Sequence, residues 1–396
     1  MKKNWFLLGI MVVLPIFWIT LKLSGWDWHA YPGLTCFLSG LSIVCAGFLL
    51  CWAAEVAQKD ISQTLALAFL AIVAVLPEYA VDMYFAWMAG KDPQYISYAT
   101  ANMTGANRLL IGFGWSLMVI VWWIKKRATS IEIEESHKVE ISFLTLATLY
   151  SFIIPIKGSL SLIDAVILIT LFVLYIASAA KTDVIEPVLL GPAEEIGKLS
   201  KTLRRLVVVT IFIYAGLVIF TSAKPFAEGL LEIGRGFGIE EFILIQWLAP
   251  LASETPEIIA ATLFVLKAKP TMGLGILISS KVNQWTLLVA LIPVVFCISG
   301  GKMGAMMFDE RQAEEIFLTS AQSAFGIAIL ANMSISIKEA ALLLFLFLTQ
   351  LLFPQKEVRF AYAFLYLALT IIILIKDRKR ARGILSFILR LGNIHK

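Results

Sequence analysis

Ala252-Ser253-Glu254-Thr255-Pro256-Glu257 and Ala74-Val75-Leu76-Pro77-Glu78 each set a proline-glutamate pair inside otherwise apolar sequence. Across a short turn, each is followed by a second apolar stretch with small and amide residues: Ser279-Ser280-Lys281-Val282-Asn283-Gln284 and Asn102-Met103-Thr104-Gly105-Ala106-Asn107. A carboxylate within hydrocarbon is costly, so intramembrane glutamates default to a functional reading. A proline just before the glutamate removes a backbone donor and frees a carbonyl one turn back, opening the helix where a ligand could use it. Two such hairpins in one chain read as a duplicated transport site.

Composition agrees with a membrane setting. Of 396 residues, 59% are hydrophobic and 15% charged, with mean hydropathy +0.85, whereas a soluble domain carries roughly 25% charged residues. The net charge of +5 needs no nucleic-acid partner, because the basic residues sit at segment ends. Cys36, Cys45, Cys51 and Cys297 all fall in apolar segments, which suits buried thiols rather than a disulfide framework or a metal site. No small-residue cleavage site follows Trp18–Ser24, which favours a retained first helix over a signal peptide.

About 20 apolar residues cross a bilayer, and apolar runs predict spans near 5–23, 33–56, 63–89, 95–124, 140–157, 160–180, 204–223, 240–266, 270–299, 313–336, 338–353 and 358–376. With the N-terminus inside, Lys59, Lys125-Lys126-Arg127, Lys181 to Arg205, Lys267 with Lys269, Lys338 and Lys376 to Arg382 fall in cytoplasmic loops. The opposite loops hold isolated Lys91, Lys157, Lys224, Arg235, Lys302, Arg311 and Lys356. That asymmetry satisfies the positive-inside rule. Glu78 and Glu257 are 179 residues and five spans apart, so their helices enter the bilayer from opposite faces. The expected fold is an all-α polytopic membrane protein of about 12 transmembrane helices, built from inverted-topology repeats of five helices each with two flanking helices. Residues 1–32 are a flanking helix, 33–180 the first repeat and 181–203 a cytoplasmic linker with a short surface helix. The second repeat is 204–353, and 354–396 hold the last flanking helix and a basic tail. A prokaryotic cell membrane with both termini cytoplasmic is the expected location.

On a helix, Glu78 and Asp82 share a face, and Glu254 and Glu257 nearly do. Glu78 and Glu257 are the candidate metal-binding residues, with Glu254 beside them. Neutral oxygens come from Ser253, Thr255, Ser280, Asn283, Gln284, Asn102 and Asn107. Asp82, Arg108 and Lys281 are candidate charge-coupling residues. A lysine ammonium beside the carboxylates can occupy a cation's place in the empty carrier, and burial can make Lys or Glu carry a coupled proton. The competing reading is a structural salt-bridge network, with Arg108 against Asp82. It does not account for the prolines.

These residues resemble the sodium/calcium exchanger family of the calcium:cation antiporter superfamily, whose two repeats carry Gly-Thr-Ser-x-Pro-Glu and Gly-Ser-Asn-x-x-Asn/Asp patterns. The likeness covers the hairpins 63–124 and 240–299. It implies a secondary active antiporter exchanging Ca²⁺, another metal ion or Na⁺ against Na⁺ or H⁺ by alternating access. Ala74 and Val75 stand where the family has hydroxyl ligands, Ala106 where it has a serine, and Leu110 where it has a polar residue. Glu254, Lys281 and Gln284 replace a serine, an asparagine and an acid, and Arg108 has no counterpart. Calcium takes 6–8 oxygen ligands, so calcium selectivity is weakened more than cation antiport.

The alternatives are a passive cation channel or a non-transporting protein derived from an exchanger. Two inverted sites in one chain favour a carrier over a channel, which builds a ring of identical ligands. His29, His137 and His395 fall in expected loops or at the terminus, which excludes an intramembrane His-ligated metalloprotease. The chain lacks a phosphate-binding Gly-Lys-Ser/Thr loop and any cofactor motif, so no enzyme activity and no cofactor are expected. The partners are the transported cations and the lipid bilayer.

Overall fold

The computed structural model describes residues 2–60, 75–180, 189–353 and 355–390. Residues 63–74 of the third expected span and 181–188 of the linker lie outside them. The chain divides into two compact units. One holds residues 2–60, 75–85 and 189–259, the other 86–180, 260–353 and 355–390.

The first unit opens with α1 (Lys2–Leu23) and α2 (Pro32–Ala57). It takes in the start of α3 (Leu76–Ala89), the short α7 (Pro192–Gly197), the long α8 (Lys201–Phe237) and most of α9 (Glu241–Leu266). The core lies between α2 and α8, where Leu49, Leu50, Ala53 and Val56 meet Val208, Ile211, Ala215 and Val218. Lipid tails give helices no hydrophobic reason to associate, so close contact comes through small residues. Gly40 lies under the Phe226 ring and Gly229 against Cys36 accordingly. Only 11% of α1's most apolar window is buried, as befits a helix flanking the bundle. The linker helix α7 starts at Pro192, and Lys198 closes it on Glu194 at 3.2 Å.

The second unit holds α4 (Tyr95–Lys126), α5 (Glu135–Lys157), α6 (Leu162–Ala179) and α10 (Pro270–Gly300). They are joined by α11 (Glu310–Leu330), α12 (Ile337–Leu351), α13 (Lys356–Lys376) and α14 (Arg378–Arg390). Among the described residues nine helices are long and apolar enough to cross a membrane: α1, α2, α4, α5, α6, α8, α9, α10 and α13. The remaining expected spans are occupied by α3, α11 and α12, which are shorter or more charged.

Strands β1 (Ser130–Glu132), β2 (Ser159–Leu160), β3 (Met306–Met307) and β4 (Ser334–Ser336) reveal how the repeats run. β1 pairs antiparallel with β4, placing Ser130 opposite Ser336, and β2 pairs antiparallel with β3. β1 and β2 bracket α5, while β3 and β4 bracket α11. The strand at the start of α5 therefore meets the strand at the end of α11, and the reverse holds at the other end. The two helices are antiparallel, and their ribbons sit about 30 Å apart, the length of a 20-residue helix. These equivalent helices of the two repeats thus run in opposite directions, as inverted topology requires. Each ribbon also joins only loops that the charge pattern put on one side, Arg127 and Lys338 at one end, Lys157 and Arg311 at the other. Capping boxes then start the helices that follow three of the strands: Ser161 with Asp164, Asp309 with Gln312, and Ser336 with Glu339.

Three features depart from expectation. α8 continues past residue 223 to Phe237, because the charged residues Lys224, Glu228 and Arg235 end the apolar run without ending the helix. The basic tail contains a helix, α14, whose Gly383 packs onto the Ala331 carbonyl and whose Arg380 pairs with Glu339. His137, placed in a loop by sequence, opens α5 with its ring on the bare backbone of Gly275.

Candidate functional site

A cluster of buried acids lies in the first unit. Proline at position 77 falls in the first turn of α3, where a missing donor costs little. Pro250 and Pro256 instead lie inside α9, where each removes a backbone hydrogen bond. The two Pro-Glu motifs meet at one point on α2. A Cβ at Gly47 would lie 2.5 Å from Pro256 Cγ and 3.4 Å from Pro77 Cγ. Only a residue without a side chain admits both rings.

Around that contact the acids gather. Glu78, Asp82, Glu254 and Glu257 are all buried, at 1%, 0%, 1% and 3% exposure. Glu254, Asp82 and Glu257 are charged neighbours of Glu78. The Cys51 thiol, one helical turn beyond Gly47, stands near Glu257 and Glu254. Ser253 is buried on the same face of α9, its hydroxyl donating back to the Ala249 carbonyl at 3.2 Å and the Pro250 carbonyl at 3.3 Å. Its oxygen keeps lone pairs for a ligand. Thr255 is not brought in with these residues. It is half-buried, and its hydroxyl donates to the Leu251 carbonyl of its own helix.

The second unit carries the amides and the bases. Asn102, Asn107, Ser280, Asn283 and Gln284 are buried, with 0–7% exposure. Both second arms are wound into a π turn, Leu110–Trp115 in α4 and Gln284–Leu288 in α10. Each turn begins three residues after the equivalent motif position, Asn107 in one repeat and Lys281 in the other. Such turns recur at functional sites because they re-aim side chains and loosen the backbone ladder. The Asn107 and Lys281 side chains meet: Lys281 Nζ donates to Asn107 Oδ1 at 2.5 Å and to the Asn107 carbonyl at 3.3 Å. The Trp285 ring lies under the same ammonium, 4.3 Å from its centroid.

Arg108 has Glu315 as its carboxylate partner at 2.6 Å, both side chains 3% exposed; the structural alternative considered from sequence had named Asp82. Gln322 Nε2 donates to the Arg108 carbonyl at 3.3 Å, just before the π turn. Arg359 of α13 bonds Glu314 at 2.9 Å and reaches Glu315 at 3.7 Å. Glu315 and Glu314 were not among the residues expected to matter. A buried guanidinium needs an acid, and two adjacent acids within an expected span were the available signal.

The chain matches the family described as sodium/calcium exchanger protein over residues 31–180 and 207–356. Among solved structures it is similar to an H⁺/Ca²⁺ exchanger, CAX, with 43% identity over 98% of both chains and a TM-score of 0.94. It shares its fold with the Ca²⁺/H⁺ antiporter YfkE, at 16% identity over 93% of this chain and 100% of that one, TM-score 0.61. The sodium-calcium exchanger NCX_Mj has 18% identity over 82% of this chain and 99% of its own, TM-score 0.56. No curated protein sequence matches the chain.

Proposed function

This chain belongs to the sodium/calcium exchanger protein family, and on that premise we propose that it is a secondary cation antiporter exchanging calcium, or a similar divalent ion, against protons by alternating access. The observation that carries this reading is the burial of Glu78, Asp82, Glu254 and Glu257 around the two prolines on Gly47. Four carboxyls out of water are tolerable only when their charge is balanced, by a cation or by protons. A site that takes one or the other is the chemical core of an exchanger, and its acids titrate as a set.

Glu78 and Glu257 are the central metal ligands, Glu254 adds a third carboxylate and Asp82 adjusts the charge. Carboxylates bind calcium through one or both oxygens, which offsets the hydroxyls that the first repeat lacks at Ala74 and Val75. The repeat pattern extends the ligand set to Ser253 and, in the second arms, to Asn102, Ser280, Asn283 and Gln284, while Thr255 donates to its own helix and Asn107 is taken up by Lys281. The domain division is that of two repeats, 33–180 and 204–353, with flanking helices and a linker. The protein sits in a prokaryotic cell membrane with both termini cytoplasmic, on the strength of the basic clusters.

Flux in proteoliposomes, with calcium, sodium, potassium and proton gradients imposed pairwise, tests the activity. A proton gradient should drive calcium accumulation against its own gradient. Uncoupled flux at channel rates, or calcium movement indifferent to every counter-ion, would overturn the reading. Orientation is checked by single cysteines at exposed Lys91 and Lys267 on a background free of native thiols; they should label from opposite sides of the membrane. Gly90 is unsuitable, since any Cβ there would meet the Phe296 carbonyl at 2.6 Å.

A further inference from the structure

Lys281 is fully buried, at 0% exposure, and three groups that hold its ammonium have a common chemistry. Asn107 Oδ1 lies at 2.5 Å, the Asn107 carbonyl at 3.3 Å and the Trp285 ring centroid at 4.3 Å. Two neutral oxygens and a π face are what a desolvated monovalent cation takes in place of water. The amide is held for this purpose. Asn107 Nδ2 donates to the Met103 carbonyl at 2.8 Å, which leaves Oδ1 as the end turned to the ammonium. Trp285 follows Lys281 by four residues on α10 and so lies on the same helix face.

The position matters as much as the ligands. Asn107 and Lys281 occupy equivalent places in the two repeats, three residues before equivalent π turns. The contact therefore falls where the second arms of the two repeats meet each other, and the chain supplies a positive charge there itself. We propose that Lys281 is a resident cation: its ammonium fills a monovalent-cation site made by the Asn107 side chain, the Asn107 carbonyl and the Trp285 ring, and ion transport requires that site to be filled. The role in transport rests on the antiporter reading above; the existence of the site does not. Removal of the side chain leaves an empty site of this chemistry, which ammonium or methylammonium fits.

The experiment compares wild type, Lys281→Ala, Lys281→Met and Lys281→Ala/Asn107→Ala. Melting of each purified protein is followed in ammonium, methylammonium or N-methylglucamine chloride at equal ionic strength. Lys281→Ala should gain thermal stability saturably with ammonium and methylammonium but not with the bulky glucamine. Wild type, whose own ammonium fills the site, and Lys281→Met, whose neutral side chain blocks it without supplying a charge, should not respond, and the added Asn107→Ala should remove the response. In proteoliposomes Lys281→Ala should lose transport on the order of tenfold or more, the scale of one charged hydrogen bond, and ammonium should restore it. Lys281→Ala that melts identically in all three salts overturns the proposal. So does a response equally large in wild type or in the double variant. If Lys281→Ala does not fold, Lys281→Met keeps the packing with a neutral chain of similar length, and wild-type transport by it overturns the proposal. A wild-type protein that moves no ion refutes the antiporter reading instead, and the melting series then decides the ammonium site alone.

Discussion

The first arms and the second arms of the two hairpins handle buried charge in opposite ways. Around Glu78 the charged neighbours in its unit are Glu254, Asp82 and Glu257, acids beside an acid. In the second arms Arg108 is matched to Glu315, and Lys281 is seated on Asn107 and Trp285. Neutralising a charge should therefore have different consequences in the two regions. Where like charges are gathered, a cation or protons can balance them, and neutralisation costs function. At Arg108, where the opposite charge of Glu315 is already in the chain, neutralisation costs stability.

The largest effect should come from Glu78→Gln and Glu257→Gln. Each is expected to abolish counter-ion-driven calcium flux in proteoliposomes while the purified protein melts at the wild-type temperature or above, since a buried charge has been removed. Near-normal flux from either variant would break the contrast at its functional end.

Arg108→Ala tests the other end. It leaves the buried Glu315 carboxylate with the longer contact to Arg359 at 3.7 Å in place of its 2.6 Å partner, a loss of about 3 kcal/mol, measurable as a lowered melting temperature and poor recovery from the membrane. Replacing both partners, Arg108→Met with Glu315→Leu, should recover most of that loss, because apolar residues of similar size often substitute for a buried pair. A single variant as stable as wild type would mean that the pair is not structural.

These two predictions draw unequally on what the sequence allowed. Spans, repeats and the Pro-Glu helices were legible, because long apolar runs and prolines within them are local signals. Glu78, Asp82, Glu254 and Glu257 were legible as a set for the same reason. Glu315 was not, since its meaning depends on Arg108, more than 200 residues away. The π turns at Leu110 and Gln284 share no mark in composition, since one holds Gly112 and Gly114 and the other Gln284 and Thr286. Strands of two or three residues, such as Ser159–Leu160, are too short to show a period. In α14 the density of arginine and lysine obscured the apolar positions that dock it, Phe387 among them.

A smaller effect is expected at Gly47, where neither charge nor ligand is involved. Gly47→Ala inserts a methyl group against both proline rings and should cost about 1–3 kcal/mol by overpacking, read as a melting shift. It should also slow transport without changing which ions are exchanged. A silent Gly47→Ala would show that the rings can part freely, and the meeting point of the two motifs would then be incidental. Smallest of all, Ser336→Ala removes the hydroxyl that caps α12 through Glu339 and should cost about 1 kcal/mol. With no role in the acid cluster, it should leave ion coupling unchanged, which makes it the control for the other variants.

The crossed ribbons carry a consequence for ancestry. Each repeat contributes one strand before its bracketed helix and one after it, and each strand finds its partner in the other repeat, β1 with β4 and β2 with β3. A lone repeat would be left with both edges open. Two copies of the same half, inserted in opposite orientations, would close both ribbons by the same exchange, because the leading strand of one copy would always face the trailing strand of the other. Such an interface is self-complementary under a two-fold axis. Duplication of one such half in inverted orientation would account for this exchange, with lysine now at position 281 where asparagine stands at position 107.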